Sequence, residues 1–189
     1  MKAICKITAL AAIMVGATQM AHAGQNANVE ITGNIVTHTC DLTVPQSSYD
    51  LGNWASDAMT PGAPVGARQF ILTVKNCAGT LATADDELSI KTNETGKTNG
   101  ADPTNFYGDD AGTNAGITLT MKGGDVHADA AVPVSPIANV FAVHKAAAAA
   151  EDLSGKQWLI MVTAAMDVAA GKAATPGALK ANLQFTMAD

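Results

Sequence analysis

The residue types that carry out chemistry in proteins are few in this sequence and lie far apart. His38, His127 and His144 show no spacing typical of a catalytic nucleophile with its base or of a zinc protease. The acidic run Asp85-Asp86-Glu87 lacks the regular ligand spacing of a calcium loop, so we interpret it as a solvated turn. The sequence predicts no catalytic site, no metal and no cofactor, and it favours a protein that is not an enzyme.

The cysteines give a clearer pattern. Of the three, Cys5 lies in the N-terminal leader described next, which leaves Cys40 and Cys77. An even pair in an exported chain predicts a disulfide, because oxidising compartments close such pairs. The spacing His38-x-Cys40 leaves a metal site as the alternative, although no second ligand pair with zinc-like spacing follows.

The N-terminus has the three parts of a secretory signal peptide. Lys2 and Lys6 supply a positive start, residues 7–15 are almost entirely apolar, and Ala21-His22-Ala23 has the small-x-small form of a cleavage site. The apolar run is shorter than the roughly 20 residues that a membrane-spanning helix needs. We expect cleavage between Ala23 and Gly24, removal of residues 1–23 and export through the periplasm.

Length and charge limit what the exported part does. Residues 24–189 suit one domain of ordinary size. The whole chain has a net charge of −6 at pH 7. This acidic excess argues against nucleic acid or an anionic membrane as a partner, because both require a basic surface.

Alternation of apolar and polar residues predicts strands along the chain. Residues 28–36 form one half-buried strand, whose apolar face consists of Val29, Ile31, Gly33 and Ile35. The clearest strand covers residues 68–77, and its apolar face consists of Phe70, Leu72 and Val74. Shorter strands are predicted at residues 88–92 and 117–121. A terminal strand is predicted at residues 179–187, with one face formed by Leu183, Phe185 and Met187.

Other segments give weaker patterns. Gly123-Gly124 predicts a hairpin turn, and residues 132–140 predict an edge strand interrupted by Pro133 and Pro136. Residues 41–50 and 51–54 predict short extended stretches. Alanine is dense at residues 146–153, and a short helical turn at residues 146–151 remains open because alanine favours helices. Residues 158–168 are assigned to a strand, since Leu159, Met161 and Thr163 alternate after a turn.

Many short strands, few helices and one disulfide predict an all-β fold, a sandwich of immunoglobulin type. Residues 93–113 are polar and rich in glycine, which predicts a surface loop between two of these strands.

Several blocks, in order, resemble the fimbrial (pilin) subunits of the chaperone–usher pathway, of the type 1-like kind. Residues 28–36 followed by Cys40 resemble the N-terminal extension and first strand of that family. Residues 70–77, ending in Cys77, resemble its second cysteine strand. Residues 115–119 resemble a strand in the middle of the chain, and residues 175–185 resemble the C-terminal strand. The resemblance spans nearly all of residues 24–189.

This resemblance implies an incomplete sandwich that a strand from a neighbouring subunit completes. Residues 24–36 would then be a donor extension and residues 37–189 the pilin domain. Val29, Ile31 and Ile35 would fill pockets of the neighbour, with Gly33 where a side chain would collide. The implied partners are other copies of the chain in a homopolymer, a periplasmic chaperone and an outer-membrane usher, and the implied location is a surface fimbrium. The alternative is that residues 28–36 are the first strand of a sandwich that is already complete.

The C-terminal strand is where the resemblance implies chaperone contact, through Gly177, Leu183, Phe185 and Met187. The family tends to have a penultimate tyrosine, whereas this chain has Ala188 there. Met187 is therefore expected to take the place of that aromatic residue, because a thioether adapts to irregular pockets.

A second function from the binding class is an adhesin that contacts a host glycan or protein receptor through its loops. Phe106, Tyr107 and the pair Asp109-Asp110 lie in the long polar loop, where they would form a shallow receptor site.

Overall fold

The computed structural model describes residues 37–188. The predicted signal peptide, its cleavage position at Ala23 and Gly24, and the predicted strand at residues 28–36 lie outside the described residues. The same holds for the four residues proposed for the donor face, which are Val29, Ile31, Gly33 and Ile35.

Nine strands and one short 3-10 helix (Ser56–Ala58) make up the regular structure of the described residues. The strands are β1 (His38–Thr43), β2 (Val65–Leu81), β3 (Glu87–Glu94), β4 (Ala115–Gly123), β5 (His127–Val134), β6 (Val140–Lys145), β7 (Glu151–Asp152), β8 (Trp158–Val168) and β9 (Leu183–Ala188). Every pairing between these strands is antiparallel.

The strands form two sheets. The larger sheet has the order β1-β2-β8-β4-β5, with the short β7 paired to the end of β2. The smaller sheet has the order β6-β3-β9. The predicted fold class, an all-β sandwich of immunoglobulin type, is confirmed.

Alternation along the strands builds the core between the sheets. On β2, Leu72 and Val74 are fully buried, whereas Ile71, which precedes Leu72 and lies on the opposite face, is 46% exposed. Ile90 on β3 and Ile160 on β8 are also fully buried, so both sheets contribute to one interior. The faces that the sequence predicted for the strand at residues 68–77 are therefore confirmed.

The alanine-rich segment does not form a helix. Ala146 is buried, and its backbone extends the pairing of β3 with β6, since its N–H donates to Asp86 O at 2.8 Å and its C=O accepts from Asp85 N at 3.0 Å. Residues 147–150 then form bends and a turn, with Ala150 at φ 57°. A run this short pays the cost of helix nucleation for few hydrogen bonds, so tertiary pairing overrides the propensity of alanine.

Two other predicted segments differ from the structure. Residues 51–54 form no strand, because local contacts hold them: Asp50 Oδ1 accepts from Gly52 N at 2.8 Å, and Trp54 Nε1 donates to Leu51 O at 3.0 Å. The segment at residues 132–140 is two strands, the end of β5 and the start of β6. Ser135 and Ala138 form a turn between them through two reciprocal hydrogen bonds of 3.1 Å.

The hairpin turn predicted at Gly123-Gly124 is confirmed between β4 and β5. Both glycines have positive φ, 129° and 65°. A Cβ on Gly124 would lie 2.2 Å from Val143 O on β6, so this turn also needs the space that glycine leaves.

The disulfide predicted between Cys40 and Cys77 is present, and it joins β1 to β2. It closes a loop of 37 residues in sequence. In the loop-entropy model such a link stabilises a fold by about 4 kcal/mol.

Candidate functional site

Each sheet of the described residues has an edge strand at either end, and β1 and β9 are the two edge strands on one side of the sandwich. Within residues 37–188, β1 pairs with β2 alone and β9 pairs with β3 alone. The free edges of β1 and β9 therefore carry backbone N–H and C=O groups that no described strand satisfies. A free edge of this kind is where a further strand can be added to a sheet.

A groove of about 730 Å³ lies on this side, with residues from both strands in its walls. One wall consists of Leu42 on β1 and the segment that follows β1, residues 44–52, which we call the strap. The other wall consists of residues 179–185, which lead into β9. The floor is the inner face of the larger sheet and is formed by Phe70, Ile117, Leu119, Ala164 and Met166.

Several of the apolar side chains around the groove are only half-buried. Leu42, Phe70 and Ile117 pack against the core but keep part of their surface exposed, as do Leu183 and Phe185. Covering such surface stabilises a protein by about 25 cal/mol per Å² of apolar area. An apolar strand that filled the groove would cover this surface and would be stabilised by its burial.

The strands β1 and β9, which bear these two edges, run in opposite directions. His38, at the start of β1, pairs with Gly79 near the end of β2, and the short connection at residues 82–86 leads from there to β3. Ala188, at the end of β9, pairs with Ser89 near the start of β3. The start of β1 and the end of β9 thus lie at the same end of the sandwich, and the groove opens towards the other end.

Three aromatic rings form a row across the groove. The Tyr49 ring on the strap stacks on Phe70, with centroids 4.4 Å apart and an interplanar angle of 17°. Phe70 in turn meets Phe185 of β9 edge to face at 6.1 Å. The Tyr49 hydroxyl is buried, and it has no hydrogen-bond partner among the described residues. Leaving such a hydroxyl unsatisfied costs about 1 to 3 kcal/mol.

The structure places the C-terminal residues that the sequence singled out in two regions. Leu183, Phe185 and Met187 lie on β9 and are half-buried against the core, with the more exposed Gln184 between the first two. Gly177 lies in the loop before β9, where a Cβ would come within 2.6 Å of Thr113 Cγ2. The terminal strand begins at Leu183, four residues later than predicted, and it includes Ala188.

The long loop does not present the aromatic residues that the adhesin interpretation requires, so that expectation is wrong. Phe106 is 6% exposed and Tyr107 is fully buried, and Tyr107 exchanges backbone hydrogen bonds of 2.8 and 2.9 Å with Ile117 on β4. Burial, together with the nearby Glu94 carboxylate, raises the pKa of Tyr107 well above its usual range. Both rings belong to the interior, which the polar and glycine-rich sequence of the loop did not indicate.

A polar cluster that sequence reasoning missed closes the opposite side of the sandwich. The ring of His144 lies between two carboxylates, with Nδ1 2.6 Å from Asp125 Oδ2 and Nε2 2.8 Å from Glu151 Oε1. Trp158 Nε1 also donates to Asp125 Oδ2, at 2.8 Å. Hydrogen bonds to Glu151 from Lys156 first, and then from the Ala147 N–H and His144, lower the pKa of Glu151 to about 2. These contacts join the β4–β5 turn to β6, β7 and β8.

Neither a metal centre nor a membrane helix is found in residues 37–188. No group of three or more His, Cys, Asp or Glu side chains in this range could hold a metal ion. No helix in the same part of the chain has the length and apolar character to cross a membrane.

Comparisons with known proteins found a likeness in structure but none in sequence. No model of a known protein family matches the chain, and no curated protein matches it in sequence. Among solved structures, the crystal structure of the P pilus rod subunit PapA is similar, with a TM-score of 0.43 and 17% sequence identity over 79% of this chain and 99% of that one. A likeness of this extent does not indicate a function. The function proposed below is inferred from the groove instead.

Proposed function

We propose that this chain is a structural subunit of a bacterial surface fimbria. In this proposal, residues 24–36 of one copy insert into the groove of the next copy and complete its sandwich, so that copies join head to tail. The observation that carries the proposal is the groove itself. Two free strand edges flank a row of half-buried apolar side chains, in a chain whose sequence also contains an unassigned strand with one apolar face.

The chemistry of the extension matches the groove. The free edge of β9 offers a backbone ladder over Leu183–Ala188, and the floor offers apolar contacts. Burial of the side chains of Val29, Ile31 and Ile35 would stabilise the joint by about 1.5 to 3 kcal/mol each. Gly33 interrupts this apolar face, and in this proposal it lies where a side chain would collide with the neighbouring copy.

The reach of the chain favours a second copy as the donor. Only Thr37 separates Val36 from the start of β1, a span of about 7 Å between Val36 and His38 at full extension. The groove beside β9 is longer, because six strand residues span about 20 Å. The extension of the same chain therefore cannot lie antiparallel to β9. In that arrangement Val36 would lie beside the start of β9, whereas His38 lies at the end of the sandwich where β9 finishes. If the extension instead lay parallel to β9, the chain would have to reverse its direction at Thr37 alone in order to enter β1. The common tight hairpins need a loop of two residues.

The proposed partners follow from the same groove. Before assembly, an exposed apolar groove with free strand edges promotes aggregation, so a periplasmic chaperone would cover it through Leu183, Phe185 and Met187. An outer-membrane usher would then direct exchange of the chaperone for the next subunit. The fibre would support cell adhesion, and a host receptor is a further candidate partner. Phe106 and Tyr107 would not contribute to such contact, since they are buried.

The test is a pair of substitutions on opposite faces of the extension. Ile31→Asp places a charge on the face that fills the groove, whereas Thr32→Asp places the same charge on the other face. Both variants are purified as the full exported chain, and heat-resistant polymers are measured on denaturing gels. We expect Ile31→Asp to abolish polymers and Thr32→Asp to form them as the wild type does, because burying an unpaired carboxylate is prohibitive.

Equal polymer formation by both variants would contradict insertion of this face. Equal loss in both would mean that charge, and not burial of the face, controls assembly. Circular dichroism of the two monomers is the control for folding of the subunit body.

A further inference from the structure

The strap is held in place by few contacts. It leaves β1 after Thr43, which pairs with Thr73, and it is anchored again at Asp50, whose C=O accepts from Arg68 Nε at 3.1 Å. Between these points, residues 45–49 make no hydrogen bond to any other described residue. Residues 45–48 are exposed, and Tyr49 is half-buried. The stack of Tyr49 on Phe70 is therefore the main contact that holds the middle of the strap against the groove.

Tyr49 occupies surface that an incoming strand would use. Phe70 belongs to the floor of the groove, and the Tyr49 ring covers it in parallel orientation. An apolar side chain that entered the groove over Phe70 would contact the same face. Tyr49 and such a side chain thus compete for one position.

The position of Tyr49 over Phe70 also carries a penalty. Its hydroxyl is buried without a hydrogen-bond partner among the described residues, whereas in water the hydroxyl would be satisfied. Stacking and burial of the ring stabilise this position, whereas the unsatisfied hydroxyl destabilises it. Opposing contributions of this kind are expected for a contact that forms in the empty groove and is replaced by an incoming apolar side chain with no unsatisfied group.

We propose that Tyr49 is a plug, a side chain that covers the floor of the empty groove and is expelled when the extension of a second copy inserts. The inference rests on the proposed function, because it takes the extension as the occupant. The strap supplies the movement, since its middle can swing outward without breaking any backbone hydrogen bond to the described residues. The plug reduces exposed apolar surface before assembly and sets a barrier to strand entry.

The first experiment follows the two tyrosines directly. The chain contains only Tyr49 and Tyr107, so a 3-fluorotyrosine-labelled protein gives two fluorine resonances. The acceptor is the full exported chain with Ile31→Asp, which retains its groove but does not donate, and the probe is a synthetic peptide of residues 24–36. Tyr107 is fully buried and is not among the residues that line the groove, so it serves as the internal reference.

We expect peptide addition to move the Tyr49 resonance to the position of a solvent-exposed tyrosine and to leave that of Tyr107 nearly unchanged. The effect of a solvent-borne paramagnetic agent on each resonance then measures exposure. Binding of the peptide with Tyr49 still protected would overturn the plug and make Tyr49 a fixed wall of the groove. Failure of the peptide to bind at all would overturn the proposed function and, with it, the plug.

The second experiment separates the ring from its hydroxyl by kinetics. Tyr49→Phe keeps the stack and removes the unsatisfied hydroxyl, so peptide association is expected to slow by about fivefold or more, the lower end of what one such group costs. Tyr49→Ala removes the plug, so association is expected to be faster than in the wild type. Gln69→Ala, at an exposed residue of β2 that neighbours Phe70 in sequence but does not line the groove, is the matched control and is expected to leave the rate unchanged.

Association rates are measured by the fluorescence anisotropy of a labelled peptide. Equal rates for the wild type, Tyr49→Phe and Tyr49→Ala would overturn the plug while leaving strand insertion intact. A change in Gln69→Ala as large as that in Tyr49→Ala would assign the effect to a general perturbation of this side of the sandwich and would also overturn the plug.

Discussion

The two sides of this sandwich are built from similar alternating strands but end differently. On one side, the edge strands β5 and β6 follow each other in the chain, and the β4–β5 turn packs onto β6, where Asp125 N donates to Val143 O at 2.7 Å. Phe141 and Val143 are 1% and 0% exposed there. On the other side, the described residues provide no turn that packs one edge strand onto the other, and Leu42, Phe70 and Phe185 are only half-buried.

This difference shows that alternation alone does not complete a core. The closed side is covered because a turn with two glycines and a polar cluster around His144 bring the two sheets together. On the groove side, the described residues provide no equivalent closing element. Residues on the closed side should therefore determine the stability of the empty subunit, and residues on the groove side should determine its affinity for an added strand.

Two phenylalanines test this division with the largest expected effect. Phe141→Ala, on the closed side, is expected to destabilise the Ile31→Asp monomer by about 3 to 5 kcal/mol, because it creates a cavity in a full core. Phe185→Ala, on the groove side, is expected to cost less than half as much, since its ring is already partly exposed. Urea denaturation measures both changes. Equal losses would contradict the division between the two sides.

The disulfide tests the groove side. Replacing Cys40 and Cys77 together by alanine is expected to lower the free energy of unfolding by about 2 to 4 kcal/mol, because the 37-residue loop is no longer closed. It also releases the edge strand β1, so binding of the peptide of residues 24–36 should weaken. Denaturation and anisotropy measure the two effects. Unchanged peptide affinity in the double variant would show that β1 is not a wall of the binding site.

Two glycines with similar backbone conformations test the turn on the closed side. Gly124→Ala combines a φ of 65° with a Cβ placed 2.2 Å from Val143 O, and it is expected to destabilise the subunit by about 3 kcal/mol. Gly155→Ala has a φ of 72° but open space around its Cβ, so it is expected to cost about 1 kcal/mol. Thermal unfolding of both variants is the measurement. Similar losses in the two would mean that contact with β6 is not what makes Gly124 necessary.

Acid should weaken the closed side by a smaller amount. The pKa of Glu151 is held at about 2 in the folded protein, below its ordinary value of 4.5, so the folded state binds fewer protons than the unfolded state between these values. The stabilisation from Glu151 is therefore complete above about pH 4.5 and is lost as the pH falls towards 2. Unfolding free energies measured across this range should fall less steeply in Glu151→Gln. A slope identical to that of the wild type would show that Glu151 does not contribute to the loss of stability in acid.

The fold class could be predicted from the sequence because it depends on local patterns. Alternation in β2, β4 and β8 and the glycine pair at the β4–β5 turn identify strands and a hairpin without knowledge of their neighbours. The cysteine pair followed from the predicted export of the chain. The errors fall where long-range contacts decide: Ala146 pairs with Asp86, and Phe106 and Tyr107 are drawn into the core.

The candidate site was predictable only in part, for a related reason. Leu183, Phe185 and Met187 could be assigned to one strand face from their spacing, and they lie on β9. Tyr49 could not be assigned, because the strap has no periodic pattern and its contact with Phe70 joins residues 21 positions apart. The His144 cluster joins four separate segments, and no sequence motif marks it.

Photo-cross-linking from the extension tests the central claim most directly. A photoreactive benzoylphenylalanine replaces Ile31, and the protein is assembled from an equal mixture of nitrogen-15-labelled and unlabelled copies. The account predicts mixed-isotope cross-links that join position 31 of one copy to Leu183–Ala188 or to the groove floor of another. Cross-links found only within single copies, or none to the groove, would contradict it.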